Sequence, residues 1–166
     1  MNDLDAEITA LAARLVKSAA AKQLKLVTAE SCTGGLVGGA ITRIQGSSDA
    51  FDRGFITYSN AAKIALLNVS PDTLEAAGAV SGEVAREMAD GALAVSGCDV
   101  AVSITGIAGP GGSALKPAGL VWFGLATAVG PTLTRERRFG DIGRDAVRQA
   151  SVRDALEFLL LGMDRS

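Results

Sequence analysis

The sequence predicts an α/β fold in which helices cover a mixed β-sheet as a sandwich. Short apolar stretches with the character of strands alternate with longer stretches of helical periodicity, and neither a linker nor an internal repeat interrupts them. The chain has 166 residues, which fits one domain of ordinary size. Hydrophobic residues make up 48% and charged residues 20%, so a full core can form. We therefore expect residues 1–166 to form a single domain.

The first half of the chain predicts alternating helices and strands. Its first helix is amphipathic, because Leu4, Ile8, Leu11 and Leu15 recur at helical spacing. Asn60 is placed to cap a later helix, since its side-chain oxygen can accept from a free backbone N–H. The predicted elements are a helix over residues 4–22, a strand over 24–29, a turn over 30–35, a helix over 36–44, a strand over 51–58 and a helix over 60–67.

The second half predicts three more strands and a closing helix. Ser81 can cap a long helix, and the nearly apolar strand after that helix is expected at the centre of the sheet. A loop rich in Gly and Pro then leads to a hairpin, whose second strand alternates charged residues and is expected nearer an edge. The elements are a helical turn from Pro71, a helix over 82–95, a strand over 99–104, a loop over 108–117, strands over 120–128 and 133–139, and a helix over 141–161.

Histidine is absent from the sequence, which excludes several common catalytic sites. A Ser-His-Asp triad and a Cys-His pair cannot form, and the usual ligand of catalytic zinc is missing. Acid–base chemistry must therefore use Lys, Tyr, Asp, Glu or Cys.

Composition also bears on partners and location. The formal net charge of −2 disfavours nucleic acid as the main partner, because neutralising phosphates needs a concentrated basic surface. No apolar run approaches the roughly 18 residues of a membrane helix, and the acidic start lacks the features of a signal peptide. Two cysteines do not make a disulfide framework. We expect a protein of the reducing cytoplasm that binds neither membranes nor nucleic acid.

A Gly-rich turn over residues 30–35 lies where a strand passes into a helix. Backbone N–H groups at a helix start are unpaired and can hold an anion or an oxyanion. Ser31 is the candidate nucleophile in that positive field, and Cys32 beside it is the alternative, because a helix start also stabilises a thiolate. No Lys follows the glycines, so this is not a Walker motif. The turn can equally be purely structural.

A second candidate group lies between residues 58 and 63, where Tyr58 ends a strand and Lys63 falls in the first turn of a helix. A cation there opposes the helix dipole, which favours the neutral amine. A neutral Lys can accept a proton from a serine, as in Ser-Lys variants of the triad. The alternative is a solvated Lys beside a half-buried Tyr.

Two further stretches can bind a ligand. Thr105 and the Gly-rich loop after it follow the central strand, and ligands bind beyond the carboxyl ends of strands in open α/β sheets. Arg144 and Arg148 share one helix face near its start and suit a phosphate. The alternatives are a flexible connection for the loop, and salt bridges with Asp141 or Asp145 for the arginines.

Five ordered motifs over about residues 5–160 resemble the CinA C-terminal domain family. They are Thr28-Ala29-Glu30-Ser31-Cys32-Thr33-Gly34-Gly35, Gly54-Phe55-Ile56-Thr57-Tyr58-Ser59-Asn60 with Lys63, Gly78-Ala79-Val80-Ser81, Ser103-Ile104-Thr105-Gly106-Ile107-Ala108-Gly109-Pro110, and Arg144-Asp145-Ala146-Val147-Arg148. Five motifs in this order are far more specific than any one alone.

The resemblance implies a three-layer α/β/α sandwich with a mixed, mostly parallel five-stranded sheet. It also implies a nicotinamide-nucleotide amidase of pyridine nucleotide salvage, which converts nicotinamide mononucleotide to nicotinate mononucleotide and ammonia. The resemblance further implies that the enzyme needs neither a metal nor an organic cofactor, and that it forms a homodimer.

Combined with the residue chemistry, the resemblance assigns a catalytic site. Ser31 attacks the carboxamide carbon, Lys63 accepts its proton, Tyr58 relays or orients that proton, and Arg144 takes the phosphate. The substrate-binding candidates are Glu30, Thr33, Gly34, Gly35, Ser48, Asn60, Thr105, Gly106, Gly109 and Arg144. Amides around residues 33–35 are expected to stabilise the oxyanion.

Two rival functions follow from the same residues. A non-catalytic nucleotide-binding or regulatory module would keep the Gly-rich loops and Arg144 but would not need Lys63. A short-chain oxidoreductase is disfavoured, because no Gly-x-Gly-x-x-Gly follows the first strand.

Overall fold

The computed structural model describes residues 3–166 and has a five-stranded sheet with helices on both faces. The predicted α/β fold class is therefore confirmed. In chain order the elements are α1 (Asp3–Lys22), β1 (Leu26–Glu30), α2 (Leu36–Thr42), a 3₁₀ turn (Ser47–Asp49), β2 (Phe51–Ile56), α3 (Asn60–Leu67), α4 (Pro71–Ala77), α5 (Gly82–Ser96), β3 (Val100–Gly106), β4 (Leu120–Thr127), β5 (Leu133–Arg138) and α6 (Arg144–Met163).

The sheet is mixed and has the strand order β2-β1-β3-β4-β5. β1 pairs in parallel with β2 and with β3, whereas β4 is antiparallel to β3 and β5. β3 lies at the centre and β5 at an edge, as the sequence predicts. Because β1, β2 and β3 run in one direction, their carboxyl ends meet at the same edge of the sheet.

Two apolar cores lie on opposite faces of the sheet, which confirms the three-layer arrangement. Alternate residues of a strand point to opposite faces. Leu26 therefore joins the core formed with α1, α2 and α6, while Val27 joins the core formed with α3, α4 and α5. No helix within residues 3–166 is long and apolar enough to cross a membrane.

The cap of α3 and the start of α6 differ from the sequence prediction. Ser59, not Asn60, caps α3, because Ser59 has extended backbone angles and its Oγ accepts from the N–H of Ala62 at 3.1 Å. Asn60 is the first residue of the helix. α6 begins at Arg144 rather than at residue 141, because Gly143 (φ +92°) is not helical. Arg144 therefore lies at the tip of α6.

Candidate active site

Ser31 lies at the edge where the parallel strands end. It follows β1 directly, and its N–H donates to the carbonyl oxygen of Ile104 in β3 at 2.9 Å. That bond continues the pairing of β1 with β3 by one residue. Ser31 is 9% exposed. The nucleophile predicted from the sequence is thus held by the centre of the sheet.

The turn after Ser31 depends on glycine. Gly34 and Gly35 have φ values of +59° and +96°, in the left-handed region that side chains with a Cβ disfavour. A Cβ on Gly35 would also lie 3.0 Å from Cδ1 of Ile56. The turn closes when the N–H of Gly34 donates to the carbonyl oxygen of Ser31 at 3.0 Å. Both glycines shape this turn and do not line the cavity beside Ser31.

Glu30 supplies the anion at the start of α2. Its side chain is buried and its carboxylate accepts from the N–H groups of Gly35, Val37 and Gly38 at 3.0, 3.1 and 2.9 Å. A carboxylate at this position also suits the helix dipole. Of the amides around residues 33–35 that were expected to stabilise the oxyanion, those of Gly34 and Gly35 already have acceptors within the chain, the carbonyl oxygen of Ser31 and the carboxylate of Glu30.

Lys63 is buried next to Ser31. It is 1% exposed, and its Nζ lies 3.1 Å from Oγ of Ser31 and 2.8 Å from the carbonyl oxygen of Thr57. No carboxylate within residues 3–166 forms an ion pair with it. Burial lowers the pKa of the Lys63 ammonium, since desolvation disfavours the charged form. The alternative of a solvated surface lysine does not apply to Lys63.

The Cys32 thiol is a poor rival nucleophile. Burial raises its pKa to about 12, and the negative charge of Glu30 contributes in the same direction. The thiol therefore stays protonated near neutral pH, whereas thiolate is the reactive form. Ser31, with an amine at hydrogen-bond distance, has the base that Cys32 lacks.

Residues at the end of β3 form another wall of the cavity beside Ser31. Thr105 is buried and its hydroxyl donates to the carbonyl oxygen of Ala79 at 2.7 Å. This bond ties the segment before α5 to the strand end. Thr105, Gly106 and Gly109 all line the cavity beside Ser31. The structure thus brings the predicted loop to the predicted nucleophile.

Arg144 and Tyr58 meet at the mouth of this cavity. One guanidinium nitrogen of Arg144 donates to the carbonyl oxygen of Gly109 at 3.0 Å, and the other lies 2.9 Å from the hydroxyl of Tyr58. Tyr58 is 62% exposed. Within the described part of the chain its hydroxyl has no hydrogen bond to Ser31 or Lys63.

Arg148 lies on the same face of α6 as Arg144 but contacts a different part of the chain. Its Nε donates to the carbonyl oxygen of Cys32 and one terminal nitrogen donates to that of Thr33, both at 3.2 Å. Its contact with Asp145 is 3.8 Å long. The predicted arginine pair is therefore divided between the cavity mouth and the turn that follows Ser31.

Ser48 does not join the site, and its prediction as a cavity residue is wrong. It is exposed in the 3₁₀ turn before β2, and its carbonyl oxygen accepts from Nζ of Lys25 at 3.1 Å. Lys25 precedes β1, whereas Ser31 follows it. At about 3.3 Å per strand residue, the six residues from Lys25 to Ser31 span roughly 20 Å, so Ser48 lies near the opposite end of β1 from Ser31.

The resulting cavity has a volume of about 320 Å³. The predicted site residues that line it are Ser31, Tyr58, Asn60, Lys63, Thr105, Gly106, Gly109 and Arg144. Glu30, Thr33, Gly34 and Gly35 lie outside its lining. The lining also includes Cys32 and five residues that the sequence analysis did not name individually as candidates: Ala79, Val80, Ile107, Ala108 and Pro110. These five residues carry no reactive group. Their position inside the motifs that resemble the family is the only sequence signal that could have identified them as site residues.

Comparison with known proteins gives close matches over most of the chain. The family model described as the CinA C-terminal domain matches residues 8–163. Nicotinamide-nucleotide amidohydrolase PncC from Escherichia coli K12 is 50% identical over 157 residues, which cover 93% of this chain and 94% of that protein. The protein of the same name from Enterobacter agglomerans is 61% identical over 135 residues, covering 80% and 81%.

A solved structure agrees with this fold over nearly the full length. The crystal structure of competence/damage inducible protein CihA from Agrobacterium tumefaciens superimposes with a TM-score of 0.92 at 50% sequence identity. The match covers 94% of this chain and 95% of that one.

Proposed function

The chain belongs to the CinA C-terminal domain family, and from this membership we propose that it hydrolyses nicotinamide mononucleotide to nicotinate mononucleotide and ammonia. The enzyme is a hydrolase of a linear amide C–N bond and acts in pyridine nucleotide salvage. One geometric observation is the main structural support for this proposal. The buried amine of Lys63 lies 3.1 Å from the hydroxyl of Ser31, inside a cavity at the carboxyl edge of the sheet.

The proposed reaction begins at this pair. Neutral Lys63 accepts the hydroxyl proton while Oγ of Ser31 forms a bond to the carboxamide carbon, and the carbonyl oxygen becomes an oxyanion. The Lys63 ammonium then returns the proton to the amide nitrogen, which leaves as ammonia. Water attacks the acyl-enzyme in the same way, with Lys63 accepting the proton from water and returning it to Oγ of Ser31.

One amide beside the cavity remains for the oxyanion. Within residues 3–166, no oxygen accepts from the N–H of Cys32, which immediately follows the nucleophile and lines the cavity, whereas the amides of Gly34 and Gly35 have acceptors. The N–H of Thr33 has no acceptor there either, but Thr33 is 0% exposed and lies outside the cavity lining. We assign the N–H of Cys32 as the oxyanion donor.

The remaining residues hold the substrate. A cavity of about 320 Å³ is within the range of small-molecule sites. Arg144 binds the phosphate at the mouth, and the loop from Thr105 to Gly109 lies against the nucleotide. Asn60 also lines the cavity. Tyr58 orders Arg144 through its hydroxyl rather than relaying the proton.

Ammonia release tests this function. Purified protein incubated with nicotinamide mononucleotide should form ammonia and nicotinate mononucleotide in equal amounts, and activity should survive EDTA because no step uses a metal. The Ser31→Ala protein, prepared identically, controls for contaminating amidases. Binding of the mononucleotide without turnover would favour the rival nucleotide-binding module. Loss of activity in EDTA, restored by one divalent ion, would contradict the serine–lysine mechanism.

Several wider expectations belong to the same proposal. Residues 1–166 act as one domain, two copies form a homodimer, and the protein works in the cytoplasm with neither metal nor organic cofactor. The partner is the small nucleotide substrate rather than nucleic acid or a membrane.

A further inference from the structure

We propose that the hydroxyl of Thr57 is the third hydrogen-bond acceptor of the Lys63 ammonium, in a contact that forms when Lys63 takes the proton of Ser31. Thr57 is then a positioning residue that acts through Lys63. It touches no substrate, because it is 0% exposed and does not line the cavity. The inference rests on the proposed amidase function and adds a residue to its proton transfer.

The first argument is the place of Thr57 in the sheet. Its N–H donates to the carbonyl oxygen of Glu30 at 2.8 Å, so the pairing of β2 with β1 continues one residue beyond β2. The register that places Glu30 opposite Ile56 then places Ser31 opposite Thr57. Neighbouring strands lie about 4.8 Å apart, so Thr57 lies directly beside the nucleophile.

The side chain of Thr57 points to the same face of the sheet as Lys63. Phe55, two residues earlier, packs against the core formed with α3, α4 and α5. Ile56 between them lies on the other face, where its Cδ1 approaches Gly35 at the start of α2. Since side chains alternate along a strand, Thr57 points to the side of α3, the helix that carries Lys63.

The second argument is a missing acceptor next to an unused one. A lysine ammonium has three N–H donors. The contacts of the Lys63 Nζ are Oγ of Ser31 at 3.1 Å and the carbonyl oxygen of Thr57 at 2.8 Å, and residues 3–166 supply no third. Oγ1 of Thr57 is buried without a hydrogen-bond partner in the same part of the chain, although most buried polar side-chain atoms have one. The hydroxyl that lacks a partner thus belongs to a residue that Lys63 already contacts.

Protonation of Lys63 creates the need for this third acceptor. The neutral amine can accept from the Ser31 hydroxyl and donate one N–H to the carbonyl oxygen of Thr57. Once it takes the proton it becomes a buried cation, which is costly without hydrogen bonds. Rotation about the Cα–Cβ bond of Thr57 moves its hydroxyl between staggered positions. A contact made only with the charged amine lowers the barrier, because it is absent from the resting state.

The other titratable groups around Lys63 do not supply this acceptor. α3 carries no other titratable residue. Cys32, Tyr58 and Arg144 line the same cavity. The raised pKa of Cys32 keeps its thiol protonated near neutral pH, and the Tyr58 hydroxyl contacts the Arg144 guanidinium.

The charged residues of the neighbouring elements are also otherwise engaged or exposed. On β1, the Glu30 carboxylate binds the start of α2. On β2, Asp52 and Arg53 pair with each other. On α5, which packs against α3, Glu87 binds Ser70 and Thr73, Asp90 binds Thr132, and Glu83 and Arg86 are exposed.

The inference predicts a specific change in the pH profile of Thr57→Val, which removes the hydroxyl and nearly keeps the shape. Losing an acceptor of the ammonium lowers the pKa of Lys63 further. The acidic limb of kcat/KM, which reports the free enzyme, should therefore move to lower pH by roughly one unit. On the plateau kcat should fall by up to about tenfold, the equivalent of that shift. KM should stay unchanged, because Thr57 does not line the cavity.

Two variants and the direction of the shift separate this role from structural damage. Thr57→Ser keeps the hydroxyl and should keep the limb and kcat. Thr28→Val is the matched control, because Thr28 also has a buried hydroxyl without a partner but shares a face of β1 with Leu26, on the side of α2. It should change neither. A loosened core at Thr57 would admit water to the amine and move the limb to higher pH, the opposite direction.

Titration of Lys63 by NMR gives a second measurement that needs no turnover. Protein labelled with ¹³C at Cε of lysine reports each amine, and the Lys63→Met spectrum identifies the Lys63 signal. Thr57→Val should show a lower pKa of Lys63 than the parent, and Thr57→Ala replaces it if the valine variant does not fold. An unchanged or higher pKa overturns the inference, and so does an equal shift in Thr28→Val. Absence of ammonia release by the parent would instead reject the proposed function, while the NMR titration would still decide whether Thr57 contacts the ammonium.

Discussion

Replacing Ser31 by Ala and Lys63 by Met, singly and together, tests the proposed catalytic pair. Met is chosen because its unbranched side chain can occupy the buried space of Lys63 without an amine. A general base contributes about 10²–10⁴-fold to the rate. Each single variant should therefore lose roughly a thousandfold or more in kcat, or about 4 kcal/mol of transition-state stabilisation.

The double variant should be hardly worse than either single variant. Residues that act as one unit give non-additive losses, because removing one already removes what the unit supplies. With Nζ of Lys63 only 3.1 Å from Oγ of Ser31, the structure predicts this behaviour. Independent roles would instead multiply the two losses, to roughly a millionfold for two thousandfold effects.

The folded state should survive these changes. Lys63→Met leaves the carbonyl oxygen of Thr57 without its donor, which costs about 1–3 kcal/mol for a buried group. Removing the desolvated amine opposes this loss. Thermal unfolding should therefore show a shifted but cooperative transition, which separates loss of catalysis from loss of fold.

The assay is steady-state ammonia release, with Cys32→Ser as the matched control beside the nucleophile. Cys32→Ser should keep substantial activity, because its thiol is protonated at neutral pH. Turnover by Ser31→Ala together with an inactive Cys32→Ser would move the nucleophile to the thiol. A folded Lys63→Met protein that keeps more than a tenth of kcat would refute the role of Lys63 as base.

The remaining predictions concern the phosphate and pH. Arg144→Ala should raise KM for the mononucleotide about tenfold to a hundredfold, as expected for losing a charge-assisted contact of about 1.5–3 kcal/mol, and should leave free nicotinamide an equally poor substrate; an unchanged KM would place the phosphate elsewhere. The rate should rise with pH along one limb set by Lys63, whose pKa lies below that of an ordinary lysine. At pH values between the lowered pKa of Lys63 in the folded state and its ordinary value of about 10.4, the unfolded chain binds more protons than the folded chain. Within that pH range, the unfolding free energy of the parent protein, relative to that of Lys63→Met, should therefore rise with pH. A pH-independent difference, measured by denaturant unfolding, would contradict burial of the amine as the cause.

The sequence alone predicts the order of elements and the edge at which the chemistry occurs. Short apolar stretches predict the strands, and small polar residues stand at the carboxyl ends of β1 and β3. Parallel strands bring their carboxyl ends together, and the CinA resemblance combined with the residue chemistry predicts that Ser31 and Thr105 belong to one site. Because the sequence contains no histidine, another residue type must act as the base, and Lys63 is the candidate.

Residue type and spacing could not predict which partner each side chain meets. Glu30 lies on the same face of β1 as Leu26, and that face carries α2, so its carboxylate caps the helix instead of meeting substrate. Ser48 lies close in sequence to β2, but β2 runs parallel to β1, so its beginning is at the far edge of the sheet. Strand direction is a property of the assembled sheet.

The arginines show most clearly what the tertiary structure decides. Their spacing of four residues determines that Arg144 and Arg148 share a face of α6, and the sequence alone establishes this. The fold places Gly109 and Tyr58 beside the first arginine and the turn after Ser31 beside the second. Local periodicity sets the direction of a side chain, whereas its partner comes from chain segments more than 30 residues away. Only packing of the whole sheet brings those segments within hydrogen-bond distance.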